Sequence, residues 1–158
     1  MADGDPFLSF QFDVQIKVSG TGADNLDNQA ALCQAAFSEC DGLEMTMEPK
    51  VVKEGGNNSQ HVHLVGPVTY GNLTLRRGMT ANGDLWQWFS ACMQNDGVGA
   101  TASVTVRLLD PGNHDQALRT FTLTGCLPIK FKAPAMNAKE GQIAVEELQI
   151  AYQTLDVS

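Results

Sequence analysis

The chain has 158 residues, a mass of 17.0 kDa and a formal net charge of −8 at pH 7. This length is typical of a single domain, here residues 1–158, and a chain of this size buries about 70% of its unfolded surface without needing a metal or a disulfide. The acidic balance argues against a nucleic-acid clamp, because binding to phosphates needs clustered lysine and arginine.

The start of the chain, MADGDPFLSF, contains neither the basic region nor the apolar run of a signal peptide. No stretch reaches the ~18 apolar residues of a membrane span. We therefore expect a protein that is made in the cytoplasm, is soluble there and has no stable membrane insertion. It would leave the cell by lysis or within a larger particle.

Two segments in the first third of the chain have the period-two pattern of strands. Residues 10–18 alternate apolar and polar side chains, which predicts a half-buried strand. Residues 19–36 predict a loop rich in Gly, Asn and Asp, followed by a short stretch of helical propensity. Residues 37–47 return to strand character, and the polar face there carries Glu44, Thr46 and Glu48.

The next segment is a charged, glycine-rich arm at about residues 49–59. Pro49 cannot donate a hydrogen bond to a sheet, so regular pairing should stop there. The arm projects from the domain and turns at the Gly-Gly-Asn-Asn of residues 55–58. The chain then returns extended over residues 61–65, breaks at a Gly-Pro step and forms a strand over residues 68–76 with its leucines inward.

One helix is predicted, at about residues 84–94. Asn82 or Asp84 can cap it, since their side chains accept hydrogen bonds from the unpaired amides of the first turn. Its apolar residues follow the spacing i, i+3, i+4, i+7, so one stripe should pack against a sheet. These residues are Leu85, Trp88, Phe89 and Cys92.

The last third of the chain predicts three strands. Residues 102–109 and 118–132 flank a turn at residues 110–113, where Pro presets one backbone angle and Gly supplies a positive one. A glycine and a proline within the second of these strands mark bends. Residues 142–153 form the last strand, and a change of apolar phase at residues 146–147 predicts a β-bulge there.

Seven or eight strands with one helix, and no regular alternation of strand and helix, define the fold class. The pattern predicts a mainly β domain, a small antiparallel β-barrel or sandwich with one packed α-helix.

No group of side chains has the arrangement that catalysis or cofactor binding requires. His61 and His63 share one face of a strand, but a metal site needs a third ligand. Glu146 and Glu147 are adjacent on a strand, so they point to opposite faces and cannot act as an acid/base pair. A lone dibasic step at residues 76–77 is weak evidence for a phosphate site. We predict a non-enzyme without catalytic, metal-binding or cofactor-binding residues and without a cofactor.

The four cysteines form no CxxC pair, which argues against structural zinc. Buried thiols are one interpretation. An even number also suits disulfides in a particle that matures outside the cell, including bonds between subunits. The possible disulfide residues are Cys33, Cys40, Cys92 and Cys126.

Motifs along residues 6–155 resemble, in order, those of the tail tube (inner tube) protein family of contractile phage tails and contractile injection systems. The family elements are F-S-E-x-x-G-L, an E-G-G-N-N arm, L-x-L-x-R-G, L-W-x-W, W-P-x-K and I-E-x-L. The similar segments are residues 37–43, 52–58, 73–78, 85–88, 127–131 and 146–148. Two departures are a longer connection at residues 19–36, expected on the outside or at a ring interface, and Leu127 in place of the family's tryptophan.

The resemblance implies hexameric rings that stack into a hollow tube, with strands of every subunit lining the lumen. It implies further copies of the chain, a contracting sheath protein, a baseplate and a tail terminator as partners. DNA or protein cargo would pass through the lumen without specific binding. The expected location is a virion tail or a contractile particle assembled in a bacterial host.

Two site hypotheses follow from the resemblance. The arm is long enough to reach a neighbouring ring, so an inter-ring contact is assigned to Lys53, Glu54, Gly55, Gly56, Asn57 and Asn58. An acidic lumen wall would let DNA slide without sticking, and its candidate residues are Glu44, Thr46 and Glu48.

Two alternatives stay open. The secreted hexameric ring protein of type VI systems shares the fold. A stand-alone ligand-binding β-barrel would instead be a stable monomer with an apolar internal cavity.

Overall fold

A computed structural model describes residues 11–19, 37–53, 55–56, 61–79, 83–94, 101–139 and 141–158. The described part contains one helix, α1, at Asp84–Gln94, with the predicted bounds. The strands, in chain order, are β1 Phe12–Ser19, β2 Glu39–Asp41, β3 Met45–Met47, β4 Lys50–Lys53, β5 His61–Leu64, β6 Val68–Tyr70, β7 Asn72–Gly78, β8 Thr101–Asp110, β9 Asn113–Lys132, β10 Val145–Ala151 and β11 Thr154–Val157.

Seven of these strands form one antiparallel sheet that the long strand β9 bends into two halves. We call the first half sheet A; it contains β1, β8, the first part of β9, and β11. The second half, sheet B, has the order β2-β7-β10-β9 and uses the last part of β9. The bend lies at Gly125, where the sequence predicted one. Its φ of +63° is unfavourable for residues other than glycine.

The inward faces of sheets A and B share one core with α1. Strict alternation places the same face of each strand inside, as β1, β7 and β8 show. From the helix, Leu85 and Trp88 are buried, and the exposed Trp86 lies over β9 with its ring 5.7 Å from that of Phe131. The fully buried core side chains include Val14, Ile16, Leu73, Leu75, Trp88, Val104, Leu123, Leu148 and Ile150. The predicted fold class, a mainly β antiparallel sandwich with one packed helix, is confirmed.

Strands β3 to β6 leave this body as a separate two-stranded ribbon, formed by residues 45–53, 55–56 and 61–70. Its inner part pairs β3 with β6, and its outer part pairs β4 with β5. Residues 37–47, predicted to have strand character, form two separate strands: β2 belongs to sheet B, β3 belongs to the ribbon, and the chain is irregular between them at residues 42–44. Of the predicted arm, residues 49–53 and 55–56 lie in the outer part of this ribbon, and residues 54 and 57–59 lie outside the described residues.

The predicted β-bulge at residues 146–147 is wrong. Strand β10 pairs with β7 without interruption from Val145 to Ala151. The irregularity lies on the other side, where the register with β9 shifts between Gln149 and Ile150. The apparent change of phase arises because Ile143 and Val145 are exposed, whereas Glu146 occupies the buried phase.

Candidate assembly surfaces

The ribbon exposes apolar side chains that have no core to enter. In its inner part, Met45 and Met47 share a face with their cross-strand partners in β6. In its outer part, Val52 pairs with Val62 on the same face as Leu64. These side chains and their neighbours expose 38% to 79% of their surface: Met45, Met47, Val51, Val52, Val62, Leu64, Val65 and Val68. Contiguous exposed apolar surface of this kind marks an interaction site.

The root of the ribbon is tied to the body by Tyr152. Its hydroxyl lies 2.8 Å from the Gly42 carbonyl oxygen and 3.0 Å from that of Glu44, and it also accepts from the Glu44 amide at 3.2 Å. The Tyr70 ring packs 5.6 Å from the Tyr152 ring. Burial raises the pKa of Tyr152 above its ordinary value.

Backbone geometry fixes the same root. Gly42 has a φ of +94°, and a Cβ atom built on it would lie 1.9 Å from the Asn72 carbonyl oxygen. Any larger residue would push β2 away from β7, because the contact is with backbone that cannot move aside. The glycine of the F-S-E-x-x-G-L element therefore has a steric role where the chain leaves sheet B for the ribbon.

The outer face of sheet B carries a row of alternating charges. One cross-strand row runs Glu39, Arg76, Glu147, Lys132 across the four strands. Arg76 contacts Glu39 at 2.9 Å and Glu147 at 3.0 Å. The hydrogen bond from Arg76 is the main reason that the pKa of Glu147 lies below its ordinary value, and nearby lysines add to the effect. This face is polar and charge-balanced.

The next row on the same face again has an acidic residue at its β2 end and a lysine at its β9 end. Asp41 lies opposite Thr74 on β7, and Gln149 of β10 lies opposite Lys130 of β9. The β2 edge of sheet B therefore carries only acidic groups in these rows, and the β9 edge carries only basic ones.

Next to the Arg76–Glu147 pair, the following cross-strand pair of β7 and β10 forms a buried ion pair. Arg77 and Glu146 are in direct contact, with 2% and 5% of their side chains exposed. The Phe37 ring lies 5.8 Å from the Arg77 guanidinium carbon. The two arginines of residues 76–77 both have carboxylate partners within the chain, so neither is an isolated phosphate ligand.

The outer face of sheet A is chemically different. It consists largely of threonine and serine, with a half-buried ion pair between Asp13 and Arg107. A hydroxyl contact joins Thr124 of β9 to Thr154 of β11. Hydroxyl groups are uncharged and well hydrated, so this face offers little electrostatic specificity.

The residues predicted for the contact arm and for the lumen wall are described only in part. Lys53, Gly55 and Gly56 are exposed at the outer end of the ribbon, and Glu54, Asn57 and Asn58 lie outside the described residues. Glu44, just before the ribbon, and Thr46 and Glu48, along its inner part, are all exposed. Both hypotheses about these residues stay predictions.

The cysteines are distributed across the body. Cys40 and Cys126 are thiols, Cys92 is half-buried on α1, and Cys33 lies outside the described residues. Burial raises the pKa of Cys40 to about 12 and that of Cys126 to about 11, and the Asp41 charge adds to the first shift. Since the thiolate is the reactive form, both react slowly at neutral pH. A disulfide between copies stays a prediction.

Three features of these surfaces escaped the sequence analysis: the Tyr152 link, the apolar faces of the ribbon and the charge row on sheet B. The sequence contained a signal for the charge row. Arg76 and Glu147 point to the opposite face of their strands from their neighbours Arg77 and Glu146. Reading it required the strand register, which the sequence does not supply.

No helix among the described residues is long and apolar enough to cross a membrane. Comparison with curated proteins finds no match. The model of the family described as T4-like virus tail tube protein gp19 matches residues 8–156.

Solved structures resemble this chain over almost its whole length. A chain in the 6-fold symmetrised cryo-EM structure of the anti-feeding prophage baseplate is 25% identical, with a TM-score of 0.79, and the match covers 98% of this chain and 97% of that one. A chain of the PVC sheath–tube complex of an extracellular contractile injection system, in the extended state, is 18% identical with a TM-score of 0.76, covering 99% and 93%.

More distant similarity concerns the fold alone. Hcp1 from Flavobacterium johnsoniae is 11% identical with a TM-score of 0.50, covering 92% of this chain and 94% of that one. The family match spans both sheets, the ribbon and the helix, and by it the chain belongs to the T4-like virus tail tube protein family.

Proposed function

We propose that this tail tube protein forms the inner tube of a contractile injection particle or a contractile phage tail. Copies assemble into rings of six, and the rings stack into a hollow conduit for DNA or protein cargo. A sheath surrounds the tube, a baseplate starts it and a terminator caps it. The subunit is a structural protein rather than an enzyme, and it is made in the cytoplasm of the host that builds the particle.

The observation that carries this proposal is the ribbon. The ribbon extends from the body as a pair of strands. None of the described residues between positions 44 and 65 is buried, and large apolar side chains are exposed there. Leaving so much apolar surface in water is unfavourable for an isolated domain. A neighbouring copy in the next ring would cover it, and a contact that repeats without closing produces a filament.

The relatives named above support the assignment of partners. One is part of a baseplate structure and one part of a sheath–tube complex. The charge-balanced outer face of sheet B and the hydroxyl-rich outer face of sheet A are both wettable surfaces that could line a channel. An inert lining of this kind suits cargo that passes through without binding.

Electron microscopy of the purified protein, in reducing and in oxidising buffer, tests the proposal. We expect rings or tubes of uniform width. Deletion of residues 53–58 should leave soluble subunits and rings while abolishing stacking. Monomers in both buffers, or unchanged tubes from the deletion variant, would contradict the proposed role of the ribbon, and a stable monomer would favour a ligand-binding barrel.

A further inference from the structure

The outer part of the ribbon has two chemically different faces. Residues directly opposite in an antiparallel pair share a face, and every second residue of a strand returns to it. One face is the apolar one described above, with Lys50 at its inner end. The other, which we call the histidine face, consists of the cross-strand pairs Lys53–His61 and Val51–His63. All four of these side chains are exposed.

This segment is basic on a chain that is otherwise acidic. Residues 50–64 contain two lysines, one glutamate and two of the three histidines, a charge of +1 while the histidines are neutral. The rest of the chain contains 8 of the 10 lysines and arginines and 17 of the 18 acidic residues, a charge of −9. The surface of another copy that receives the ribbon is therefore acidic on average, and it attracts positive charge.

Mild acid changes the charge of the histidine face more than that of any other surface. Histidine side chains ordinarily gain their charge between about pH 8 and pH 5, whereas aspartate and glutamate ordinarily stay ionised above about pH 5. The charge of residues 50–64 therefore rises from +1 towards +3 in this range. The third histidine, His114, lies at the start of β9, outside the ribbon.

The groups around the two imidazoles leave their charge uncompensated within the described part of the copy. Strand β4 pairs with β5 and places Lys53 opposite His61. Glu48 precedes β4 in the inner part of the ribbon, and Glu54 lies outside the described residues. Among the described residues, neither histidine forms an ion pair with a carboxylate. The charge that the imidazoles gain is thus directed to acidic groups of a second copy.

Resting on the proposed stacking of rings through the ribbon, we propose that the histidine face makes stacking respond to pH. Protonation adds up to two positive charges to each ribbon, and these charges attract the acidic surface of the copy in the next ring. The apolar face supplies a contact at every pH. The histidine face then sets how strongly the rings hold, so tubes are favoured in mild acid and loosen as the pH rises.

The protein concentration needed for tubes, measured by pelleting and negative-stain microscopy at about pH 7.5 and about pH 5.5 and at low ionic strength, tests this. For the wild type it should fall about threefold to thirtyfold in acid, the range for two exposed contacts between opposite charges. Sodium chloride at about 0.5 M should remove most of the response, because salt screens exposed charges.

Two double variants and one matched control assign the response to the histidine face. H61Q/H63Q cannot gain the charges and should lose most of the response. H61K/H63K carries them permanently, and at neutral pH it should form tubes as readily as the acidified wild type. H114Q removes the same kind of group from an exposed position outside the ribbon and should respond like the wild type.

The outcomes separate this inference from the proposed function. Wild-type tubes that form equally well at both pH values, or less well in acid, would overturn the pH response and leave the tube function intact. A response that persists in H61Q/H63Q, or that disappears in H114Q, would overturn it in the same way. A wild type that forms neither rings nor tubes at either pH would overturn both. The single variants H61Q and H63Q, each expected to lose part of the response, serve if a double variant does not fold.

Discussion

The body and the ribbon of this protein use the same strand chemistry with opposite results. In the body, alternating side chains place one face of every long strand in a shared core, and Leu73, Leu75 and Leu148 are completely buried. In the ribbon, valine, leucine and methionine occur just as densely but stay in water. The body therefore folds by its own contacts, whereas the ribbon has apolar surface suited to another copy.

The difference predicts where stability and where assembly are encoded. Removing buried side-chain groups of the body should lower the free energy of unfolding, because contacts are lost and a cavity is left inside the core. Changing the ribbon should leave folding almost untouched and act on assembly. The following substitutions test that division.

The largest effect on folding is expected at the buried ion pair of the body. E146Q removes the counter-charge of Arg77 and leaves a guanidinium with almost no access to water, which should destabilise the protein by about 3–5 kcal/mol. Urea denaturation of monomeric protein measures it. The control E39Q breaks an exposed contact on the same sheet and should barely change the midpoint. Equal losses in the two variants would mean that the buried pair has no special role.

Two leucines compare body and ribbon directly. L75A should lower the free energy of unfolding by about 2–5 kcal/mol, since Leu75 is fully buried in β7. L64A, in β5, should change it by less than about 0.5 kcal/mol, because Leu64 is 49% exposed. The effect on tube formation should not follow the loss of stability. L64A should be folded but defective in forming tubes. An L64A protein that is destabilised like L75A would show that the ribbon is part of the folding core.

The sequence predicted the body well because local signals decide it. Period-two alternation located β1, β7 and β8, the Asp-Pro-Gly-Asn step located the β8–β9 turn, and the apolar stripe located α1. Failures occurred where a distant partner decides the structure. Glu146 looks like a break in the apolar phase until its pairing places it beside Arg77. Likewise, the point at which residues 37–47 divide into two strands is where Gly42 and Glu44 contact the Tyr152 hydroxyl, more than a hundred positions away.

The joint between the two regions should respond more modestly. Y152F keeps the ring but removes the hydroxyl that contacts Gly42 and Glu44, leaving polar backbone groups without that partner. We expect a loss of about 1–2 kcal/mol and faster amide exchange at Glu44 and Gly71, with the core of sheet A unchanged. F131L, which trims an aromatic contact elsewhere in the body, is the control. Unchanged exchange at the joint in Y152F would separate Tyr152 from the orientation of the ribbon.

The smallest effect concerns the exposed side of the same sheet. Because Arg76 lowers the pKa of Glu147 in the folded protein, the ionised carboxylate stabilises folding at pH values above the ordinary glutamate pKa of about 4.3. That contribution should disappear as the pH falls through the lowered folded-state pKa. Denaturation of wild type and E147Q from pH 7 downwards should give curves that differ near neutrality and converge in acid. Curves that stay parallel would show that Glu147 acts by shape alone. Convergence would instead establish that the charge of Glu147 contributes to the stability of the body, because only the ionised carboxylate gains from the Arg76 guanidinium beside it.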